Sequence, residues 1–104
     1  MTAPADHPPS ELDVEHDEEG HRYLLSSDGE HVGLIDYRAT GDTLDFHHTE
    51  IRPDARGRGL GTVLVRGALE NVQDNDRKVI PSCWFVRAFI DAHPEFADLV
   101  TSRR

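Results

Sequence analysis

Gly57, Gly59 and Gly61, interleaved with Arg56, Arg58 and Leu60, are the residues whose spacing speaks most directly of chemistry. Glycines lack the Cβ atoms that would hold a ligand off the backbone. At the start of a helix such a run leaves N–H groups unpaired, here from Arg58 to Thr62. The helix dipole adds roughly 0.3–1 kcal/mol of attraction for an anion. Arg56 and Arg58 add charge-assisted hydrogen bonds. The chemistry expected is the holding of a phosphate or pyrophosphate. The order Gly57-Arg58-Gly59-Leu60-Gly61 lacks the Gly-x-Gly-x-x-Gly spacing of a dinucleotide fingerprint, and no Gly-Lys-Ser/Thr follows to make a triphosphate loop. The competing reading is a flexible strand-to-helix connection with incidental arginines.

His48, Glu50 and Cys83 are the candidates for proton transfer or nucleophilic chemistry. Imidazole changes charge near neutral pH. Strand alternation sets His48 and Glu50 on one face, with His47 and Thr49 on the other. The same alternation groups His48 with Leu44 and Phe46, a core-like face, so a structural histidine is the alternative. Cys83 stands near a predicted helix start, where a thiolate is favoured. A nucleophile, a thiol-exchange site and a small buried hydrophobe are the three readings open to it. Trp84 has two readings, covering the core or contacting a bound ligand, and core packing is the expectation. His21, His31 and His93 show no metal-ligand spacing, and His7 and His16 lie too far apart for one.

These residues need elements to position them. Strands are predicted over 22–26, 31–39 and 43–51, separated by Ser27-Asp28-Gly29-Glu30 and Thr40-Gly41-Asp42, both turn sequences. They read as an antiparallel meander, with Val32, Leu34 or Ile35, and Tyr37 as the apolar positions of the middle strand. A helix is predicted from Leu60 to about Asn75, with Leu60, Val63, Leu64, Ala68 and Val72 on one stripe. Gly67 in that helix suggests close packing on the sheet. A short strand over 78–80 ends at Pro81, and the preceding helix makes it parallel to the third strand. A second helix runs from Cys83 or Trp84 to Ala92, with Ser82 as N-cap and Val86, Phe89 and Ile90 facing inward. A last helical turn covers 94–100.

The chain has 104 residues and a formal net charge of −9, with 11 basic and 20 acidic side chains. That size bounds it to one domain. Seven acids and no Lys or Arg fall in residues 1–20, which argues against a nucleic-acid binder. Residues 1–12 read as a flexible acidic tail, 13–101 as the domain and 102–104 as a charged tail. A single cysteine excludes an internal disulfide, and no signal peptide or membrane span is visible, so a cytoplasmic location is expected.

The segment Ile51-x-Pro53-x-x-Arg56-Gly57-x-Gly59-Leu60-Gly61-x-x-Leu64-Val65 resembles the acetyl-CoA-binding motif of the GCN5-related N-acetyltransferase superfamily. The flanking His48-Thr49-Glu50, Lys78-Val79-Ile80-Pro81-Ser82-Cys83-Trp84-Phe85-Val86 and Phe89-Ile90-x-x-His93-Pro94-Glu95-Phe96 are similar to the small, single-domain YjdJ-like N-acetyltransferase-related proteins. The resemblance spans roughly residues 20–100. It implies a compact α+β fold with an antiparallel meander, Gly-rich loop and helix, a splayed fourth strand and a C-terminal helix. It implies acetyl-CoA as cosubstrate and no metal. The pyrophosphate would be held by Arg56, Gly57, Arg58, Gly59, Leu60, Gly61 and Thr62, and the pantetheine arm would lie beside Ile51 and Arg52.

The activity implied is acetyl transfer to an unidentified amine, a basic small molecule or a lysine side chain, with His48, Glu50 and Cys83 at the reacting centre. The alternative is a CoA-binding or protein-interaction module with little or no catalysis. Two features favour that alternative. Larger members carry two N-terminal helices that wall the acceptor site, and no room for them exists before the loop. Many place a tyrosine general acid in the later helix, where this chain has Phe85 and Phe89. No membrane or direct nucleic-acid partner is expected, and the chain is read as a monomer or weak homodimer.

Overall fold

A computed structural model describes residues 11–101. The expected charged end and all but Glu11 and Leu12 of the expected acidic tail lie outside the described residues. The sheet has five strands in the order β1-β2-β3-β4-β5: β1 Leu12–Asp17, β2 Arg22–Ser27, β3 Glu30–Thr40, β4 Thr43–Ile51 and β5 Lys78–Ile80. The first four form an antiparallel meander. Asp28 and Gly29, both with positive φ (53° and 86°), make the tight reversal between β2 and β3.

β1 is the strand that the sequence reading lacks. Asp13, Glu15 and Asp17 alternate with Val14 and His16, so its inward face offers little apolar signal. Its anchoring is specific. A side-chain carbon at Gly67 would come 2.7 Å from Cγ2 of Val14, so the glycine permits the expected close packing, and β1 is what it packs on. His16 stacks on Tyr23 at 4.3 Å and its Nε2 lies 2.6 Å from the Tyr37 hydroxyl.

Two β-bulges interrupt the strand alternation. Leu25 pairs with Gly33 and Ser26 with His31, leaving Val32 as an extra residue. Val32 is therefore buried together with Ile35 and Tyr37, despite the odd spacing. On β4, Phe46 pairs with Tyr37 and His48 with Asp36, leaving His47 as the extra residue. A bulge shifts every later side chain to the opposite face. Leu44 and Phe46 point to the core before it, whereas His48 and Glu50 are exposed after it. The expected grouping of His48 with Leu44 and Phe46 is thus corrected.

Helix α1, Leu60–Asp74, covers one face of the sheet and buries Leu60, Leu64, Val65, Ala68, Leu69 and Val72. Each fully buried aliphatic side chain contributes roughly 1.5–3 kcal/mol. Val63, expected on the stripe, is only half-buried. Helix α2, Trp84–Ala92, adds Val86, Phe89 and Ile90 to the same core, and a 3₁₀ segment, Pro94–Leu99, adds Phe96 and Leu99. The N-cap of α2 is Cys83, not Ser82, and no side chain caps it.

The feature that positions a site is the edge between β4 and β5. β5 runs parallel to β4, as expected, but pairs with it only at Thr43, Leu44 and Asp45. Pro81 has no N–H to continue the ladder. One further bond, Cys83 N–H to the Phe46 carbonyl at 2.9 Å, follows. Beyond it the strands part.

Candidate functional site

The parted strands open a groove of about 670 Å³. One wall is the free edge of β4, from His48 to Ile51. The floor is the start of α1. The other wall is the start of α2, Cys83 to Phe85.

The floor follows from the glycines. Gly57 and Gly59 both sit at positive φ (84° and 72°), where a side chain is strained, and Gly59 is the N-cap of α1. No side chain caps this helix. The N–H groups of its first turn are therefore free to meet an anion at the groove floor.

The arginines divide. Arg56 lines the groove and donates from Nε to the Ile51 carbonyl at 3.0 Å. Arg52 turns away. Its Nη2 lies 2.8 Å from Asp54 and its Nη1 2.9 Å from Glu30, with a further bond to the His31 carbonyl. Those carboxylates raise the Arg52 guanidinium further, and Arg52 in turn holds the Asp54 carboxyl below its usual range. Arg52 thus ties the loop to the β2–β3 turn. The Arg58 side chain lies with Arg52 and Asp54 in a separate depression outside the groove.

The structure brings together the three candidates for proton transfer. His48 Nε2 lies 3.2 Å from Glu50 Oε1, and both side chains are more than half exposed at 53% and 57%. Such an exposed pair adds little stability. Its exposure leaves it accessible to a substrate. Across the groove, Cys83 Sγ lies 3.5 Å from the Thr49 hydroxyl. Burial pushes this thiol up. Hydrogen bonds from Thr49 and from the backbone N–H groups of Val86, Phe85 and Thr49 outweigh that and bring it below its ordinary value.

Thr49, Ala55, Trp84 and Phe85 line the groove without being among the site residues expected from the sequence. Trp84 is 77% exposed, so the expectation of core packing is corrected. The stripe Val86, Phe89, Ile90 carried the signal, because a residue two positions before Val86 falls on the far side of the helix. Among the described residues no group of three or more His, Cys, Asp or Glu is arranged to hold a metal, and no helix is long and apolar enough to cross a membrane.

An antiparallel meander, a glycine-rich helix start and a parallel strand that parts from its neighbour define an α+β domain of the N-acetyltransferase type. The family model described as GCN5-related N-acetyl-transferase matches residues 22–99, and the chain belongs to that family. It is 33% identical over 90 residues to protein NATD1 of Xenopus tropicalis, covering 84% of this chain and 82% of that one. The fold is similar to the solution structure of a GCN5-like Staphylococcus aureus protein, with a TM-score of 0.65, 20% identity and coverage of 89% of this chain and 91% of that one. It is also similar to part of N-acetylglutamate synthase from Neisseria gonorrhoeae, solved with coenzyme A and N-acetyl-glutamate. That match has a TM-score of 0.51 and 14% identity, and it covers 74% of this chain and 22% of the synthase.

Proposed function

We propose that this chain is an acetyl-CoA-dependent N-acetyltransferase acting on an amine, of the small YjdJ-like kind. The observation that carries the reading is the continuity of one groove from the uncapped start of α1 to His48, Glu50 and Cys83. Acetyl-CoA is a long ligand with an anionic middle and a reactive thioester end. The N–H groups from Gly59 to Thr62, with Arg56, would meet the pyrophosphate. The free edge of β4 near Ile51 would accompany the pantetheine arm. Membership of the family and the coenzyme A in the synthase structure support this assignment.

At the thioester end the amine attacks the acetyl carbon, and the C–S bond breaks. The ammonium must first lose a proton, and the leaving thiolate must gain one. In this reading Glu50 and His48 would take the proton. Cys83, with its thiol brought below the ordinary value, would exchange a proton with the departing sulfur. The second reading, a CoA-binding module with little catalysis, is favoured by the same exposure of His48 and Glu50 and by phenylalanine at positions 85 and 89.

Calorimetry with acetyl-CoA and CoA tests the cofactor site, and thiol release in the presence of amines tests transfer. Binding with amine-dependent release supports the transferase. Binding without release supports the module. A folded protein that binds neither ligand overturns both.

A further inference from the structure

The sheet face turned away from α1 has no covering layer among the described residues. Across it, in register, run Glu15, Leu24, Leu34 and Glu50. Beside them run Asp17, Arg22, Asp36 and His48. Residues directly opposite one another share a face. None of the eight is buried, although β2 and β3 are interior strands. The centre of the face is a pair of partly buried leucines. Four carboxylates surround them. Among the eight, Arg22 is held by Asp17 at 3.2 Å, and Arg38, the next residue on this face of β3, stands opposite Asp45. A depression of about 300 Å³ is lined by Leu24, Leu34 and Glu50 together with Arg22, His31 and Arg52, and Arg52 is itself held by Glu30 and Asp54. Glu50 and His48 belong both to this face and to the groove. The bulge at His47 is what brings the two surfaces together.

We propose that this face docks a basic polypeptide segment and delivers one of its lysines to the His48–Glu50 end of the groove. The proposal rests on the acetyltransferase reading above and names its acceptor class. Charge complementarity selects a cationic partner: the chain carries a net charge of −9, and the face is acidic. Leu24 and Leu34 suit the aliphatic stems of lysine and arginine, whose charged ends then reach the carboxylates. A second copy would set like charges against each other. A small amine is ordinarily bound in a cleft that encloses most of its surface. This face is broad and unwalled. Its four strands span on the order of 15 Å, the length of about four or five extended residues.

The test is an NMR titration of the full chain with a short peptide of alternating lysine and alanine. Its glutamate counterpart and spermidine serve as comparisons, and acetyl-CoA binding is measured separately by calorimetry. Expected are shifts at Glu15, Leu24, Leu34 and Asp36, and binding that weakens with salt. Joint replacement Glu15→Lys and Asp36→Lys should weaken the peptide about tenfold and leave acetyl-CoA affinity unchanged. Glu15→Lys alone, on the edge strand, gives a milder change of the same sign should the double variant not fold. Failure of the peptide to bind a protein that binds acetyl-CoA overturns the docking face alone. So do shifts confined to other surfaces, equal binding by spermidine, or indifference to the charge reversals. Peptide binding at this face by a protein that does not bind acetyl-CoA overturns the transferase reading and leaves the surface standing.

Discussion

Gly61, in the first turn of α1, lies flush against the ring of Phe85, in the first turn of α2: an added side-chain carbon would come 2.9 Å from Cζ. The two helix starts that form the floor and wall of the groove are therefore in direct contact. Gly61→Ala must displace Phe85. Overpacking of this kind costs roughly 1–3 kcal/mol, of which the better helix propensity of alanine returns about 1 kcal/mol. For a domain of this size that lowers Tm by roughly 4–8 °C per kcal/mol. Because the displaced ring lines the groove, acetyl-CoA affinity should fall as well. Calorimetry and thermal unfolding check both. An unchanged affinity alongside a lowered Tm would mean that the ring moves without touching the ligand's path.

Trp84 is the only tryptophan, and it stands 77% exposed at the groove wall. Its emission should report occupancy directly. Saturation with acetyl-CoA is expected to shift or quench it, and Trp84→Phe should abolish the signal with little loss of stability, as for other exposed positions. A titration showing heat of binding but no change in emission would place the ligand elsewhere.

Cys83 should react with iodoacetamide faster than an ordinary cysteine thiol near neutral pH, because its hydrogen bonds favour the thiolate. Removing the hydroxyl in Thr49→Val takes away the largest of those favourable contributions and should slow the reaction. Bound acetyl-CoA should protect the thiol, since Cys83 lines the groove. Time-resolved mass spectrometry measures all three rates.

His16 gives the domain a mild sensitivity to acid. Burial lowers its pKa below the ordinary 6.5, against the opposing pull of Glu18 and Asp17 and with help from Arg77. The unfolded chain therefore binds the proton more readily than the folded one. Stability is fully present above pH 6.5 and declines as pH falls through the folded value. Asp17 and Glu18, both held below the usual carboxylate range, add a further loss only in more acidic solution. His16→Phe keeps a ring against Tyr23 and should remove the first decline. Denaturant unfolding across the range from about pH 7.5 to about pH 5 tests this, and an unchanged slope in the variant would assign the decline to another group.

Much of this was legible in the sequence. Turn residues marked the meander, helical spacing marked Leu64, Ala68 and Val72, and the crossover made the strand at Val79 parallel. The glycine loop carried its position at the start of α1. β1 was not legible, because its hold on the domain is a histidine ring and one valine against a glycine, and none of these registers as apolar periodicity. The bulges at Val32 and His47 were hidden for a different reason. Strand alternation is a local rule, whereas a bulge is defined only by the partner strand. Arg52 is expected beside the pantetheine arm, but Glu30, twenty-two positions away, turns its side chain outward.

The extra residue at His47 also divides a single strand into two materials. From Thr43 to Phe46, β4 is flanked on both sides and its aromatic is locked in the core, so substitutions there should be felt as stability. From His48 to Ile51 the strand has lost its β5 neighbour, and substitutions there should be felt as specificity. One inserted amino acid thus lets the open end of the groove diversify while the scaffold that carries it stays fixed.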